Sequence, residues 1–216
     1  MWQKTGGRVR PPGRRALRGI PGGDPRKEKR RRADSEGIHR QGGRTMEAIT
    51  PERLGEALAA LLEEIHVGPP DPRSTWVTTN EPASGVLGTL ERISAEVASR
   101  PPAPGMNTIA AHAEHLRYSL ELAARALAGE DAYASANWAA SWRTQVVDGP
   151  AWDRLRGALR EEHHRLLQAI RDRRDWSDRD VLWGVLALVG HGGYHLGAIR
   201  QIVRLLRGAQ GNSNEG

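Results

Sequence analysis

The segment VGHGGYHLGAIRQIV carries two histidines, His191 and His195, four residues apart. On a helix this spacing puts both imidazoles on one face. The stripe through Leu188, His191, His195, Ile199, Ile202 and Leu206 is the apolar one, and Arg200 and Gln201 lie on the other side. Both rings are therefore expected to point inward. A lone inward histidine is ordinarily satisfied by a carbonyl or a water. Two stacked ones need partners for both nitrogens of each ring. A divalent cation meets that need, since imidazole suits Zn, Ni, Fe and Cu.

A metal site needs a third ligand. The segment NTIAAHAEHLRYSLELA offers His112 and His115, which flank the core stripe Ile109, Leu116 and Leu120; spacing alone leaves the choice open. Three histidines plus water would leave an exchangeable position, the pattern of a catalytic rather than a structural site. His163 and His164 sit in the charged run REEHHR and are expected to be solvated. Glu161-x-x-His164 matches half of a di-iron carboxylate motif, but a second copy is missing. Gly190, Gly192 and Gly193 weaken a helix by ~2–3 kcal/mol relative to alanine. Their expected use is to let a neighbouring helix or a substrate approach the ligand-bearing backbone. A helix broken at Gly190 is the competing reading, disfavoured by the apolar spacing that continues on both sides.

Helices must position these rings. Thr50, Pro51 and Glu52 open a helix over 51–66, whose apolar positions are Leu54, Leu58, Leu61, Leu62 and Ile65. Residues 69–84 read as a loop, with Trp76 expected to fold onto the core. A second helix is expected over 85–99 and a third over 107–127, capped by Asn107. A linker of roughly 20 residues follows, carrying Trp138 and Trp142, before a fourth helix over 150–171. Ser177 or Asp178 caps the last helix, 179–207, with Gly208 ending it. No strand pattern and no repeat stand out. The expected fold is all-α: a four-helix bundle with a long crossover between the second and third core helices, plus one extra N-terminal helix over 51–66. A connection that long tolerates parallel neighbours.

Composition limits the function. The 216 residues include no cysteine, which excludes disulfides and thiolate metal ligands. Phenylalanine is absent and seven tryptophans supply most of the aromatic bulk, so Trp138, Trp142, Trp183 and Tyr194 either line a pocket or simply fill the core. Residues 1–45 hold 14 of the 32 Lys/Arg and 4 of the 26 Asp/Glu. The net charge of +6 thus belongs to this segment, and the remainder is acidic, which argues against nucleic acid as the partner of the core. The segment reads as a disordered basic tail, or as residues upstream of a true start at Met46, with the bundle occupying 46–216. In the tail reading, RKEKRRR could contact nucleic acid by charge. There is no apolar core of a secretory signal. The longest apolar run, 181–189, is about half the ~20 residues of a membrane span, so a soluble, cytoplasmic protein is expected.

HGGYHLGAIRQI resembles the C-terminal His-x-x-x-His-x-Gly-x-x-Arg helix of the DinB/YfiT-like metalloenzymes, and NTIAAHAEHL resembles their second-helix histidine segment. The resemblance covers roughly residues 86–206. It implies a four-helix bundle with one long crossover, often dimeric, holding a divalent metal (Zn, Ni or Fe) on three histidines. By position these are His115, His191 and His195, with His112 an alternative or an outer-shell residue. Members with assigned activity include bacillithiol S-transferases and a mycothiol-dependent maleylpyruvate isomerase.

The expected function is a metal-dependent thiol S-transferase or hydrolase. Its metal would activate a low-molecular-weight thiol cofactor or water against a small electrophilic substrate. Tyr194 is a candidate pocket residue. Arg117 and Tyr118 could also face the site. The competing reading is a stress-linked metal-binding scaffold without turnover. Heme is disfavoured, because two histidines on one helix cannot sit on opposite faces of a porphyrin.

Overall fold

The computed structural model describes residues 48–212, with side chains to residue 208. The basic segment 1–45 and the start at Met46 lie outside the described residues. The all-α expectation holds: no strand occurs among the described residues, only an isolated bridge between Asp71 and Ser74. None of their helices is long and apolar enough to cross a membrane.

Helix α1 spans Pro51–His66. The Thr50 hydroxyl accepts from the Arg53 N–H, and proline fits the first turn, where its missing donor costs nothing. Leu58, Ala59, Leu62 and Ile65 are buried. Residues 67–85 then form a loop pinned by one carboxylate. Glu64, 2 % exposed, accepts from the backbone N–H groups of Trp76, Val77 and Thr78 and from the Thr78 hydroxyl. Burial raises its carboxyl pKa, but the donors outweigh that and hold it below the ordinary glutamate value. The Trp76 ring, expected on the core, is instead 83 % exposed. Its backbone, not its indole, ties this stretch to the fold.

The single helix expected over 85–99 is broken into α2, Val86–Glu91, and α3, Ala95–Ala98. The Ser94 hydroxyl caps the second piece by accepting from Val97 N–H at 3.3 Å; serine competes well at a cap and poorly inside a helix. Helix α4 covers Ile109–Leu127. Thr108, rather than Asn107, is its cap, accepting from Ala111 N–H. The long connection that follows contains a 3-10 turn, Ala140–Trp142, packed on α4. Helix α5 is Gly149–Asp172, capped by Asp148, and α6 is Arg179–Asn212. Asp178 accepts from the Asp180 and Val181 N–H groups at the start of α6. Gly208 does not end α6, which continues four residues further. Glycine permits a stop but does not impose one.

Helix α4 packs on α5 and α6, and so does α1. The helix expected as an addition to the bundle is therefore a full participant in the core, which joins Leu62 of α1, Leu116 and Leu120 of α4, Leu159 and Leu166 of α5, and Ile199 of α6.

Helix α6 runs unbroken through its glycines, and only one of the three has a packing reason. A Cβ on Gly192 would stand 2.8 Å from Ile65 Cγ2 and 3.3 Å from His66 Cε1 on α1; one on Gly190 would meet nothing within 4 Å. Gly190→Ala should therefore stabilise the protein by about 0.8–1 kcal/mol through helix propensity. Gly192→Ala should cost about 1–3 kcal/mol, since Ile65 is buried and its β-branch cannot rotate away freely. Urea unfolding of the two variants should show these opposite signs.

Candidate metal centre

His112 and His115 lie on α4, His191 and His195 on α6. Packing of α4 on α6 brings the four rings together. The Nε2 atoms of His115 and His191 are 3.2 Å apart, and those of His195 and His191 are 2.9 Å apart. One ligand-capable nitrogen from each of His115, His191 and His195 lies within 4.8 Å of the others, the one such group of three among the described residues.

Outer partners fix which nitrogen faces the centre. Ser141, in the 3-10 turn, has a single hydroxyl proton and donates it to the Trp138 carbonyl at 2.7 Å. Its oxygen therefore accepts from His115 Nδ1–H at 2.8 Å. The proton of a neutral His115 is then on Nδ1, leaving a bare Nε2 lone pair aimed inward. The outer nitrogen of His195 is engaged as well: its Nδ1 lies 2.8 Å from His112 Nδ1, so His112 touches the far side of the His195 ring rather than the point of convergence.

Hydrogen bonding cannot satisfy this convergence. His191 Nε2 carries at most one proton, yet it faces two other Nε2 atoms. Burial, reinforced by the neighbouring imidazoles, pushes the His115 pKa down to about 4 and that of His195 lower still, and burial also lowers His191. All three rings are thus neutral at pH 7, the form that binds a metal. Two nitrogens on a tetrahedral ion stand about 3.3 Å apart when the bonds are ~2.0–2.1 Å, close to the separations seen here. The donor set fits a divalent cation.

Trp142 stacks on His115, with ring centroids 4.1 Å apart and planes at 20°, and Trp138 flanks it at 5.7 Å. These two expected lining residues are at the site. Tyr194 is 66 % exposed, with its ring 5.0 Å from that of His195, which places it on the rim. Trp183 lies exposed under the Arg179 guanidinium. Arg117 is engaged by Glu114 and Glu121, and the Tyr118 hydroxyl accepts from the Asn137 N–H.

His163 departs from expectation. It is fully buried, not solvated, while Glu161 and His164 are exposed as their charged run suggests. Its ring lies 4.9 Å from that of His66, which sequence reasoning passed over. His66 Nδ1–H donates to the Leu62 carbonyl at 2.8 Å. Its Nε2 and both nitrogens of His163 have no partner among the described residues. The signal for His163 was present: it lies on the stripe of Leu159, Leu166 and Ile170.

Residues 83–199 match the DinB superfamily. The chain belongs to that superfamily. No curated protein and no solved structure gives a significant match. The matched span of this DinB-superfamily chain contains His112, His115, His191, His195 and the tryptophan-bearing connection. Helix α1, with His66, precedes it.

Proposed function

We propose that the protein is a divalent-metal-dependent enzyme in which His115, His191 and His195 hold the ion through Nε2. We take its reaction to be the attack of a low-molecular-weight thiol or of water on a small electrophile. The observation that carries this reading is the convergence of the Nε2 atoms of His115, His191 and His195, with the outer nitrogens of His115 and His195 already engaged by Ser141 and His112. Zn, Ni and Fe all suit such a donor set. Bound there, the ion would act as a Lewis acid that lowers the pKa of whichever nucleophile reaches it.

The chain's own residues do the rest. Three neutral ligands leave the ion's charge uncompensated, which favours an anionic nucleophile. Ser141 and His112 lock two rings in orientation. Trp142 covers one face of His115 and keeps water from that side. His191 is only half-buried, so the open approach runs past it, beside Tyr194. With no cysteine in the chain, a thiol must arrive as a co-substrate.

The test is metal-loaded protein assayed against activated esters and alkylating electrophiles, with and without a small thiol. Metal-dependent turnover only with thiol identifies a transferase; turnover with water alone identifies a hydrolase. Bound metal without turnover in either arm would reject the enzyme reading in favour of a metal-binding scaffold. Ser141→Ala should weaken metal affinity by about 10–100-fold, the usual cost of losing an outer-shell partner. Competition with a chromophoric chelator would measure it.

A further inference from the structure

We propose that a second, separate pocket binds a small phosphomonoester. A cavity of about 390 Å³ opens between α6, the turn after α2 and the end of the 67–85 loop. On α6, Arg200, Val203, Arg204 and Arg207 recur at the spacing of one helical face and all line it. Arg92 faces them from the α2–α3 turn, and Glu81 is the one carboxylate in the lining. Four guanidiniums against one carboxylate leave a large positive excess in a cavity of ordinary small-ligand size.

These arginines are not spent on structure. Arg92 and Arg200 each give one nitrogen to a backbone carbonyl, of Ala83 and Ser84 respectively. The ion pairs among the described residues engage other arginines, such as Arg117, Arg125, Arg165 and Arg171, and none of these four. Arg204 and Arg207 make no hydrogen bond or ion pair among the described residues. Guanidinium forks match phosphate oxygens in bidentate pairs, and a phosphate supplies the near-dianionic charge that such an excess calls for. A monoester, rather than free phosphate, suits the rest of the lining. Ile93 and Val203 give it an apolar wall, and a narrower cleft of about 100 Å³ continues past them toward Val97 and Leu206. The pocket contains none of the four clustered histidines, so it stands whether or not a metal binds.

Isothermal titration with phenyl phosphate and with inorganic phosphate, at ionic strength held constant with chloride, tests this on the full chain. Phenyl phosphate should bind the wild type more tightly than inorganic phosphate does. It should bind His195→Ala equally well, which separates this pocket from the histidine cluster. Arg204→Gln/Arg207→Gln should weaken binding by at least about tenfold, as expected when charge-assisted contacts are lost, while keeping wild-type circular dichroism and metal content. Arg204→Lys, which keeps the charge but loses the fork, should fall between. Three results would overturn the proposal: no binding of either compound to the wild type, binding lost in His195→Ala but kept in the arginine variant, or binding of a duplex oligonucleotide without binding of phenyl phosphate.

Discussion

Replacing either His191 or His195 with alanine should empty the proposed metal site: the metal content of purified protein should fall from close to one divalent ion per chain to near zero. Three-histidine sites hold their ion through few bonds, so each one matters. Structural zinc sites bind with about 10–16 kcal/mol in total. One ligand's share of a comparable site is at least ~3 kcal/mol, more than a hundredfold in affinity. The neighbours set the contrast that makes the result specific. His112→Ala removes only the group against the far nitrogen of His195, and should weaken binding by about 10–100-fold without abolishing it. His163→Ala should leave metal content unchanged, because His163 is not among the converging nitrogens. Wild-type metal content in His195→Ala would remove the site, and with it the proposed chemistry.

Acidification should unfold the metal-free protein across the histidine range. Burial, with nearby imidazole and guanidinium charge, pushes His163 down to about 3; burial chiefly, with the charge of His191, takes His66 down to about 4. Burial puts His112 at about 4 as well. The unfolded chain, titrating near 6.5, takes up protons that the folded chain refuses. The stability tied to these rings is therefore complete above about pH 6.5 and is lost progressively as pH falls toward the folded values. For His66 and His163, both fully buried, the loss is on the order of 3 kcal/mol each, against a total of about 5–15 kcal/mol for a typical domain. Urea unfolding at pH 7.5, 6 and 5 should show a steep decline. His163→Leu separates cause from coincidence. It removes two buried nitrogens that have no partner among the described residues, so stability at pH 7.5 should hold or rise and the decline on acidification should shrink. A wild-type stability that is level from pH 7.5 to 5 would contradict the assignment of these rings as buried and neutral.

Much of this site was legible along the chain. The i, i+4 spacing of His191 and His195 and the apolar stripe they share fix a common face of α6, because helix geometry is local. The cap at Thr50 was legible for the same reason, and that of α6 was narrowed to Ser177 or Asp178, since a capping oxygen acts on N–H groups two or three residues away. Reading along the chain failed where one local signal overrode another, or where a separate segment decided the outcome. The helix expected over 85–99 breaks because Ser94 captures a new helix start, a competition that apolar spacing does not register. Trp76 is exposed because a buried glutamate in α1 holds its backbone.

By itself, the sequence determined the helical class, the inward face of α6, the long connection carrying two tryptophans, and the candidate histidines. Spacing left His112 and His115 open and the family resemblance pointed to His115; the tertiary structure is what puts His115 in the converging set. The two sit on neighbouring faces of α4, and it is the 3-10 turn, placing Ser141 behind one ring, together with α6, placing His195 against the other, that gives them different partners. Burial of His163 beside His66, the use of Gly192 as a contact point for α1, and the meeting of Arg92 with the arginine face of α6 likewise depend on which helix packs against which. Such pairings join residues tens to more than a hundred positions apart, and no periodicity within a single helix encodes them.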